Sequence, residues 1–379
     1  MIKTVEKAGE VRRVAICGSY GGMNLGDEAI LQVIVRGLRE SGPVDITVIS
    51  RNANDTRRRH ALEAVDMTGL SRQEMRPLIE SLDLFILGGG GLLYDADAEM
   101  YLRHLAAACD AGVPTMTYAI SAGPLVDSRV RARVRDVLNR VNLITVRDRQ
   151  ARQLLEDVGV EQDIELTADP ALLLEPEPLT LDEILRAEAI NTQARLIGIS
   201  VREPGPAAPE LQVEHYHRLI ANAADFMSDR FDADVVFFPM ERRISDVQHS
   251  HGIVSQMHRA QRATVLKRDY TPGQLLSILD HLDFAVGMRL HFLIFCALSG
   301  VPFVPLPYAS KVMGFLEDLQ LDVRRLEHIS AGELSADIDR AWDSRHELSN
   351  QIHDRTRELQ TRARQTGQFA LELLRHAHA

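Results

Sequence analysis

The chain has 379 residues, of which 45% are hydrophobic and 26% are charged, as in an ordinary globular protein. This length exceeds one ordinary hydrophobic core, so we expect two domains. The net charge is −11, from 43 Lys and Arg against 54 Asp and Glu, which argues against a broad nucleic-acid-binding surface.

The ends of the chain and its cysteines indicate a compartment. Residues 1–11 carry scattered charges and no apolar run, unlike a signal peptide. No segment reaches the roughly 18 apolar residues that span a bilayer. Cys17, Cys109 and Cys296 lie far apart in apolar contexts, so we expect reduced core residues without a disulfide or a metal. We therefore predict a cytoplasmic protein; peripheral contact with the inner membrane face and a homo-oligomeric state stay open.

Short apolar runs alternate with helical patterns through the first half of the chain. Strands are predicted at residues 14–18, 46–50, 82–87, 115–120 and 143–146, with a helix over 28–40. Most of these runs are rich in β-branched or aromatic residues, which is typical of parallel strands buried on both faces. Their alternation with helices predicts a doubly wound sheet.

A second series of strands follows the Pro-containing segment 175–178. These strands are predicted at residues 196–201, 234–238, 264–266, 282–286 and 303–306. We therefore expect an α/β protein with two Rossmann-type domains facing a cleft, over residues 1–178 and 179–332. A polar helical tail is predicted at 333–379.

Two glycine-rich segments follow predicted strands, where open α/β sheets bind ligands. Residues 18–28 contain four glycines and end in Asn24, Asp27 and Glu28, without the Gly-Lys-Ser/Thr of a P-loop. For Asp27 two interpretations stay open, a helix N-cap or a role in hydroxyl binding and proton transfer. In the second segment, 88–91, we expect Gly89 and Gly90 to allow close approach of a ligand or of the facing domain.

The segment 287–291 places Arg289 and His291 where a buried strand turns into a buried helix. The free N–H groups and the dipole of that helix start favour an anion, above all a phosphate. The alternative is an Arg paired with a neighbouring carboxylate and a His packed in the core.

Further polar residues follow other strands of the second half. They are Arg202, Glu241, Tyr308 and Lys311. A cluster of cations in an acidic protein favours a small, multiply charged anionic ligand over several internal ion pairs.

Other charged segments have simpler interpretations. Arg147 and Asp148 form an internal ion pair or contact a ligand. The arginines of residues 129–140 are expected on the solvated face of a helix rather than on a membrane-contact surface. His249, His251 and His258 lack metal-ligand spacing, so we expect surface histidines and no metal site.

Taken in order, these motifs resemble the polysaccharide pyruvyl transferase family, and most closely its branch that pyruvylates the cell-wall polymers anchoring surface-layer proteins. The likeness covers roughly residues 12–320, through segments 18–31, 88–91, 121–124, 146–148, 168–170, 200–202, 287–291 and 308–312. It implies a GT-B-like architecture and a role in cell-wall biogenesis. It also implies phosphoenolpyruvate as donor co-substrate, no bound cofactor, and an acceptor that is a sugar diol. In this branch the acceptor would be an N-acetylmannosamine-containing saccharide, free or on a lipid carrier, and the product a 4,6-linked pyruvate ketal.

The residues fit that chemistry as a hypothesis. Arg202, Arg289 and Lys311 would hold the donor's carboxylate and phosphate, with His291 as general acid or phosphate partner. Asp27 would take a proton from an acceptor hydroxyl. The substrate-binding set is completed by Asn24, Gly89, Gly90, Glu241 and Tyr308. Two alternatives stay open: a glycosyltransferase or epimerase that uses a nucleotide sugar, and a non-catalytic saccharide-binding protein on the same fold.

Overall fold

The structure is a computed structural model that describes residues 11–190, 193–203, 212–241, 246–321 and 329–376. It divides into two compact units, and both are discontinuous in sequence. The first unit contains the described residues up to Gly22, Ile30–Pro170 and those from Arg362 onward. The second unit contains Met23–Ala29 and Ala171–Thr361.

The first unit is built on a parallel sheet. Its elements in chain order are β1 (Arg12–Cys17), α1 (Leu25–Glu40), β2 (Val44–Ser50), α2 (Ala53–His60), β3 (Glu63–Asp66), α3 (Arg72–Glu80), β4 (Leu84–Leu87), β5 (Gly90–Leu93), α4 (Ala98–Asp110), β6 (Thr115–Ala122), α5 (Ser128–Leu138), β7 (Leu143–Val146), α6 (Arg149–Val158) and β8 (Ile164–Leu166). The strand order is β3-β2-β1-β4-β6-β7-β8, with β5 beside β6. This order reverses between β1 and β4, as in a doubly wound fold.

Burial in the first unit follows the predicted pattern. Residues 14–17 of β1 and 84–87 of β4 are fully buried. On α5, Val134 and Val137 are buried, whereas Arg133 and Arg135 pair with acidic residues at the exposed surface. The arginine-rich face is therefore the expected solvated one. Arg147 is paired internally: its Nη1 donates to Asp169 Oδ2 at 2.6 Å, and its Nε lies 3.8 Å from Oδ2 of Asp148, the predicted partner.

The second unit holds a five-stranded parallel sheet. Its elements are α7 (Leu181–Ala187), β9 (Arg195–Ser200), α8 (Val213–Phe231), β10 (Ala233–Phe237), α9 (Asp246–Val254), β11 (Ala263–Val265), α10 (Pro272–Leu279), β12 (Phe284–Gly287), α11 (Leu290–Leu298), β13 (Phe303–Pro305), α12 (Ser310–Asp318), α13 (Ala331–Asp343) and α14 (Arg345–His376), whose last turns belong to the first unit. The order β11-β10-β9-β12-β13 reverses between β9 and β12. That reversal marks the edge where such sheets bind ligands.

The limits of the two units differ from the predicted domains in three respects. The chain passes between them after Pro170 rather than after residue 178. The segment Met23–Ala29, expected in the N-terminal domain, belongs to the second unit. The expected tail is not separate, because α13 and most of α14 belong to the second unit and the end of α14 to the first. In the part of the chain that the structure describes, no helix is long and apolar enough to cross a bilayer.

Candidate anion-binding site of the second unit

The reversal of strand order brings Arg202 and Arg289 to one edge of the sheet. In the register of β9 and β12, Gly287 lies opposite Ser200. The N–H of Met288 then donates to the Ser200 carbonyl at 2.8 Å, continuing the ladder past the strand. Arg202 and Arg289 each follow two residues after the end of their strand. They therefore leave the sheet side by side at the ligand-binding edge.

Arg289 lies at the start of α11 and is held by two acids. It is only 9% exposed. Its Nε donates to Asp246 Oδ2 at 3.0 Å and its Nη2 donates to Asp246 Oδ1, which makes a two-pronged pairing. Nη2 also donates to Glu241 Oε2 at 3.0 Å. The internal pairing that was the alternative for Arg289 is thus present, and a direct contact of Arg289 with a ligand stays a prediction.

Asp246 connects this pair to the end of β10. Its carboxylate is fully buried, and Oδ2 accepts the N–H groups of Met240 and Glu241 at 3.1 and 3.0 Å. Burial raises the pKa of the Asp246 carboxyl, although Arg289 and the Glu241 N–H oppose the rise. Because arginine does not lose its proton in proteins, Asp246 is the natural anionic partner of this buried pair.

Tyr308 lies among three cations. It is 6% exposed, and its hydroxyl accepts a hydrogen bond from Arg202 Nη1 at 2.8 Å. The guanidinium carbon of Arg202 also lies 5.0 Å from the centre of the tyrosine ring. Burial alone would raise the pKa of the Tyr308 phenol, but Lys311, Arg202 and Arg289 lower it below its ordinary value. The positive potential at this edge therefore outweighs the cost of burying a phenolate.

The N-terminal segment Met23–Ala29 packs on the end of β10. The Leu25 N–H donates to the Met240 carbonyl at 2.8 Å, and Asn24 forms an antiparallel bridge with Glu241. Asn24 Oδ1 accepts the Gly26 N–H at 3.1 Å. Asn24 and Asp27, two predicted site residues from the opposite half of the sequence, thus belong to the same unit as Arg289.

Gly26 lies directly against the imidazole of His291. A Cβ atom built on Gly26 would lie 1.8 Å from His291 Nδ1 and 2.2 Å from Cγ. No side chain fits there while His291 keeps its place. The half-buried His291 stands in the first turn of α11, and Asp27, which is 9% exposed, stands next to Gly26 at the start of α1. Both predicted proton-transfer residues therefore lie at helix starts in the second unit.

Gly89 and Gly90 belong to the first unit, where the structure gives both a local reason. A Cβ on Gly89 would lie 2.9 Å from Ile30 Cγ2 and 3.0 Å from the Tyr118 carbonyl oxygen. Gly90 has a φ of +100°, a conformation that favours glycine. Packing and backbone conformation thus account for these residues, and their contact with a ligand stays a prediction.

One part of this neighbourhood differs from the sequence predictions. His249, expected at the surface, is half-buried, and its Nδ1 lies 2.8 Å from Nε2 of His217. The buried ring of Tyr216 packs against both imidazoles. His251 and His258 are exposed, as expected. A usable signal was present, because Asp246 and His249 are three residues apart and share a helix face.

Comparison with known protein families identifies the family of this chain. The family model described as polysaccharide pyruvyl transferase matches residues 24–310. The chain belongs to this family. The match begins at Asn24 and includes Arg202, Glu241, Arg289 and His291. A curated relative, the amylovoran biosynthesis protein AmsJ of Erwinia amylovora, is 22% identical over 292 residues, which are 74% of this chain and 70% of AmsJ.

Solved structures that resemble this pyruvyl transferase family member show its fold. A glycosyltransferase from Rickettsia africae superposes on this chain with a TM-score of 0.65 at 11% sequence identity. The superposition covers 97% of this chain and 98% of the glycosyltransferase chain. A UDP-GlcNAc 2-epimerase from Neisseria meningitidis, solved with UDP-GlcNAc, gives a TM-score of 0.62 at 10% identity, covering 96% and 99%. The chain thus has the expected GT-B-like α/β fold. Such low identities carry no information about substrate.

Proposed function

We propose that the chain transfers the enolpyruvyl group of phosphoenolpyruvate to two hydroxyls of a saccharide, forming a pyruvate ketal and releasing phosphate. Membership of the polysaccharide pyruvyl transferase family supports pyruvyl transfer to a polysaccharide. We infer the anionic donor from one observation. Arg202, Lys311 and Arg289 converge on the buried Tyr308, and their positive charges lower the pKa of its phenol. Such a concentration of positive charge in a chain of net charge −11 suits a small, multiply charged anion.

The three cations differ in burial. Arg289 is buried and tied to Asp246 and Glu241, so its charge is largely balanced inside the protein. Arg202 and Lys311 are half-buried, and both lower the pKa of the Tyr308 phenol. We assign the carboxylate and phosphate of the donor to Arg202 and Lys311. Arg289 then fixes the end of β10 and adds to the positive potential.

The proposed reaction has two additions. A proton from His291 goes to the methylene carbon of the donor, and the first acceptor hydroxyl adds to the cationic carbon beside it. Loss of phosphate restores a cationic carbon, and the second hydroxyl adds to that centre. One of the two hydroxyl protons restores the proton that His291 gave to the methylene carbon. The other leaves with phosphate. Asp27 is the proposed acceptor of a hydroxyl proton.

The acceptor in this proposal is an N-acetylmannosamine-containing cell-wall saccharide, free or lipid-linked, and the ketal is 4,6-linked. The support is the resemblance of the motifs to the branch that modifies polymers anchoring surface-layer proteins. A cytoplasmic place of action, on or near the inner membrane face, follows from the same proposal.

The direct test measures phosphate release from phosphoenolpyruvate with a panel of synthetic and lipid-linked amino-sugar acceptors. We expect release only when an acceptor diol is present, and a fall of at least ~10²-fold in His291→Ala. His258→Ala, an exposed histidine, is the matched control and should keep wild-type turnover. Calorimetry with phosphoenolpyruvate and with UDP, GDP and CDP sugars separates the nucleotide-sugar alternative. Binding of a nucleotide sugar alone would refute the proposal.

A further inference from the structure

A cluster of three aromatic rings lies beside the proposed donor site. Tyr216 and His217 come from the first two turns of α8, and His249 comes from α9. The ring centres of Tyr216 and His217 are 4.8 Å apart, and those of His217 and His249 are 5.0 Å apart, both edge to face. Gly252 leaves room for this packing, since a Cβ there would lie 2.8 Å from His217 Cε1.

The cluster is oriented toward the cationic edge of the sheet. His249 stands one turn after Asp246 on the same face of α9, and Asp246 is the buried partner of Arg289. The Tyr216 hydroxyl is fully buried and makes no hydrogen bond with the described residues. Burial and Asp246 raise the pKa of Tyr216, whereas Arg289 and Arg202 oppose the rise, which places this hydroxyl among the same charges. A buried hydroxyl without a hydrogen bond costs free energy.

The two histidines are joined to each other by one hydrogen bond, which leaves Nε2 of His249 for a ligand. His249 Nδ1 is occupied by His217 Nε2 at 2.8 Å. Among the described residues, none bonds to His249 Nε2. We propose that His249 binds an anionic group of the donor through Nε2–H, and that His217 is a positioning residue that fixes the orientation and tautomer of His249. This inference rests on the proposed function, since it assigns a further residue to the same donor.

The surroundings of the pair favour neutral imidazoles. Burial is the main cause that lowers the pKa of both histidines, and the His249 imidazole further lowers the pKa of His217. Around His249, Glu203 and Asp246 oppose the fall, whereas Arg202 and Arg289 add to it. Around His217, Glu214 opposes it.

A neutral pair needs one nitrogen to donate and the other to accept. If His217 Nε2–H donates to His249 Nδ1, the remaining proton of His249 lies on Nε2. That tautomer presents a hydrogen-bond donor to an anion without adding a charge. With this tautomer, the hydrogen bond between His217 and His249 makes Nε2 of His249 a hydrogen-bond donor, which suits an anionic group.

The experiment uses the full chain and compares the Michaelis constant for phosphoenolpyruvate with kcat. Loss of one hydrogen bond to a charged group should raise KM in His249→Ala by about 10-fold or more, with kcat changed by less than about threefold. His249→Gln places an amide near Nε2 and should recover most of the affinity. His251→Ala is the matched control, because His251 lies on the exposed face of the same helix.

The positioning role of His217 has its own readout. His217→Leu should raise KM although it removes no ligand contact, and His217→Gln, which keeps a hydrogen-bonding group near Nε2, should restore it. A purely structural role would lower thermal stability in both variants without this difference in KM. Inhibition by pyruvate and by inorganic phosphate then identifies the group that His249 binds, because only one inhibition constant should rise in His249→Ala.

The outcomes separate this inference from the proposed function. If the wild-type chain releases no phosphate from phosphoenolpyruvate with any acceptor, the proposed function fails. If it does and His249→Ala keeps the wild-type KM and both inhibition constants, the inference fails alone.

Discussion

In the proposed mechanism, the contact between Gly26 and His291 makes the first turn of α1 a determinant of turnover. In Gly26→Ala the new methyl group would lie 1.8 Å from Nδ1 of His291, and a comfortable contact needs about 3.5 Å. The imidazole must therefore move by roughly 1.7 Å, the difference between those distances. A misplacement of about 1 Å at a catalytic group can cost ~10²-fold in rate. We expect kcat to fall by at least that factor.

The same substitution has two opposing effects on stability. Gly26 lies in a helix, where replacing glycine by alanine favours the helical backbone by up to about 1 kcal/mol, whereas displacing His291 costs about 1–3 kcal/mol. Gly37→Ala is the matched control, because Gly37 lies in the same helix and a Cβ there has no neighbour within 4 Å. It should gain up to about 1 kcal/mol of stability and keep wild-type turnover.

The assay is phosphate release at saturating donor and acceptor, together with thermal unfolding of Gly26→Ala, Gly37→Ala and the wild-type chain. A folded Gly26→Ala protein with unchanged kcat would refute the reasoning. It would show either that His291 takes no part in turnover or that its observed position is not the working one.

Three further predictions concern stability and ionisation. Asp246→Ala leaves the buried Arg289 without its main partner and should cost about 3–5 kcal/mol of unfolding free energy in denaturant titrations. Lys311→Met removes the cation that most lowers the pKa of Tyr308, so ultraviolet difference titration should show this phenol ionising at a higher pH. Tyr216→Phe removes a buried hydroxyl without a hydrogen bond among the described residues, and thermal unfolding should show unchanged stability or a gain of up to about 1 kcal/mol.

Each of these three predictions has a result that would contradict it, and the first also has a control variant. Asp136→Ala breaks an exposed pair with Arg135 and should cost less than about 1 kcal/mol. An equally small cost for Asp246→Ala would mean that water reaches Arg289. An unchanged titration of Tyr308 in Lys311→Met would show that Lys311 does not lower the pKa of the Tyr308 phenol. A marked loss of stability in Tyr216→Phe would reveal a bonded hydroxyl.

The strands with continuous apolar runs and the buried helix α11 were predictable because their patterns are local. The predicted strands at 14–18, 46–50 and 143–146 correspond to β1, β2 and β7, and the buried helix after His291 is α11. No strand was predicted at β3, β5 and β8, which have three or four residues each. β3 begins and ends in acids, and β5 begins with two glycines, a residue depleted in strands, so neither resembles a buried strand. Pairing with a neighbouring strand, and not local propensity, makes them strands.

The candidate site was predictable where a strand end carries its own signal. Arg202, Arg289, Tyr308 and Lys311 were predicted because they follow apolar runs, and the structure brings them together, whereas their binding of a ligand stays a prediction. The bond between His217 and His249 joins residues 32 apart in the chain, and neither helix alone indicates it. The placement of Met23–Ala29 in the second unit was equally hidden, because it depends on backbone bonds to Met240 and Glu241.

The interleaving of the two units along the chain has a consequence for synthesis. The ribosome makes Met23–Ala29 early, yet the sheet edge at Met240 that receives this segment emerges more than two hundred residues later. The first unit in turn waits for the end of α14, which the ribosome makes after the last segment of the second unit. We therefore expect neither unit to complete its folding before its later segment has been made. A truncation between the two sheets keeps every strand of one sheet. It nevertheless removes a chain segment that belongs to the same unit as that sheet.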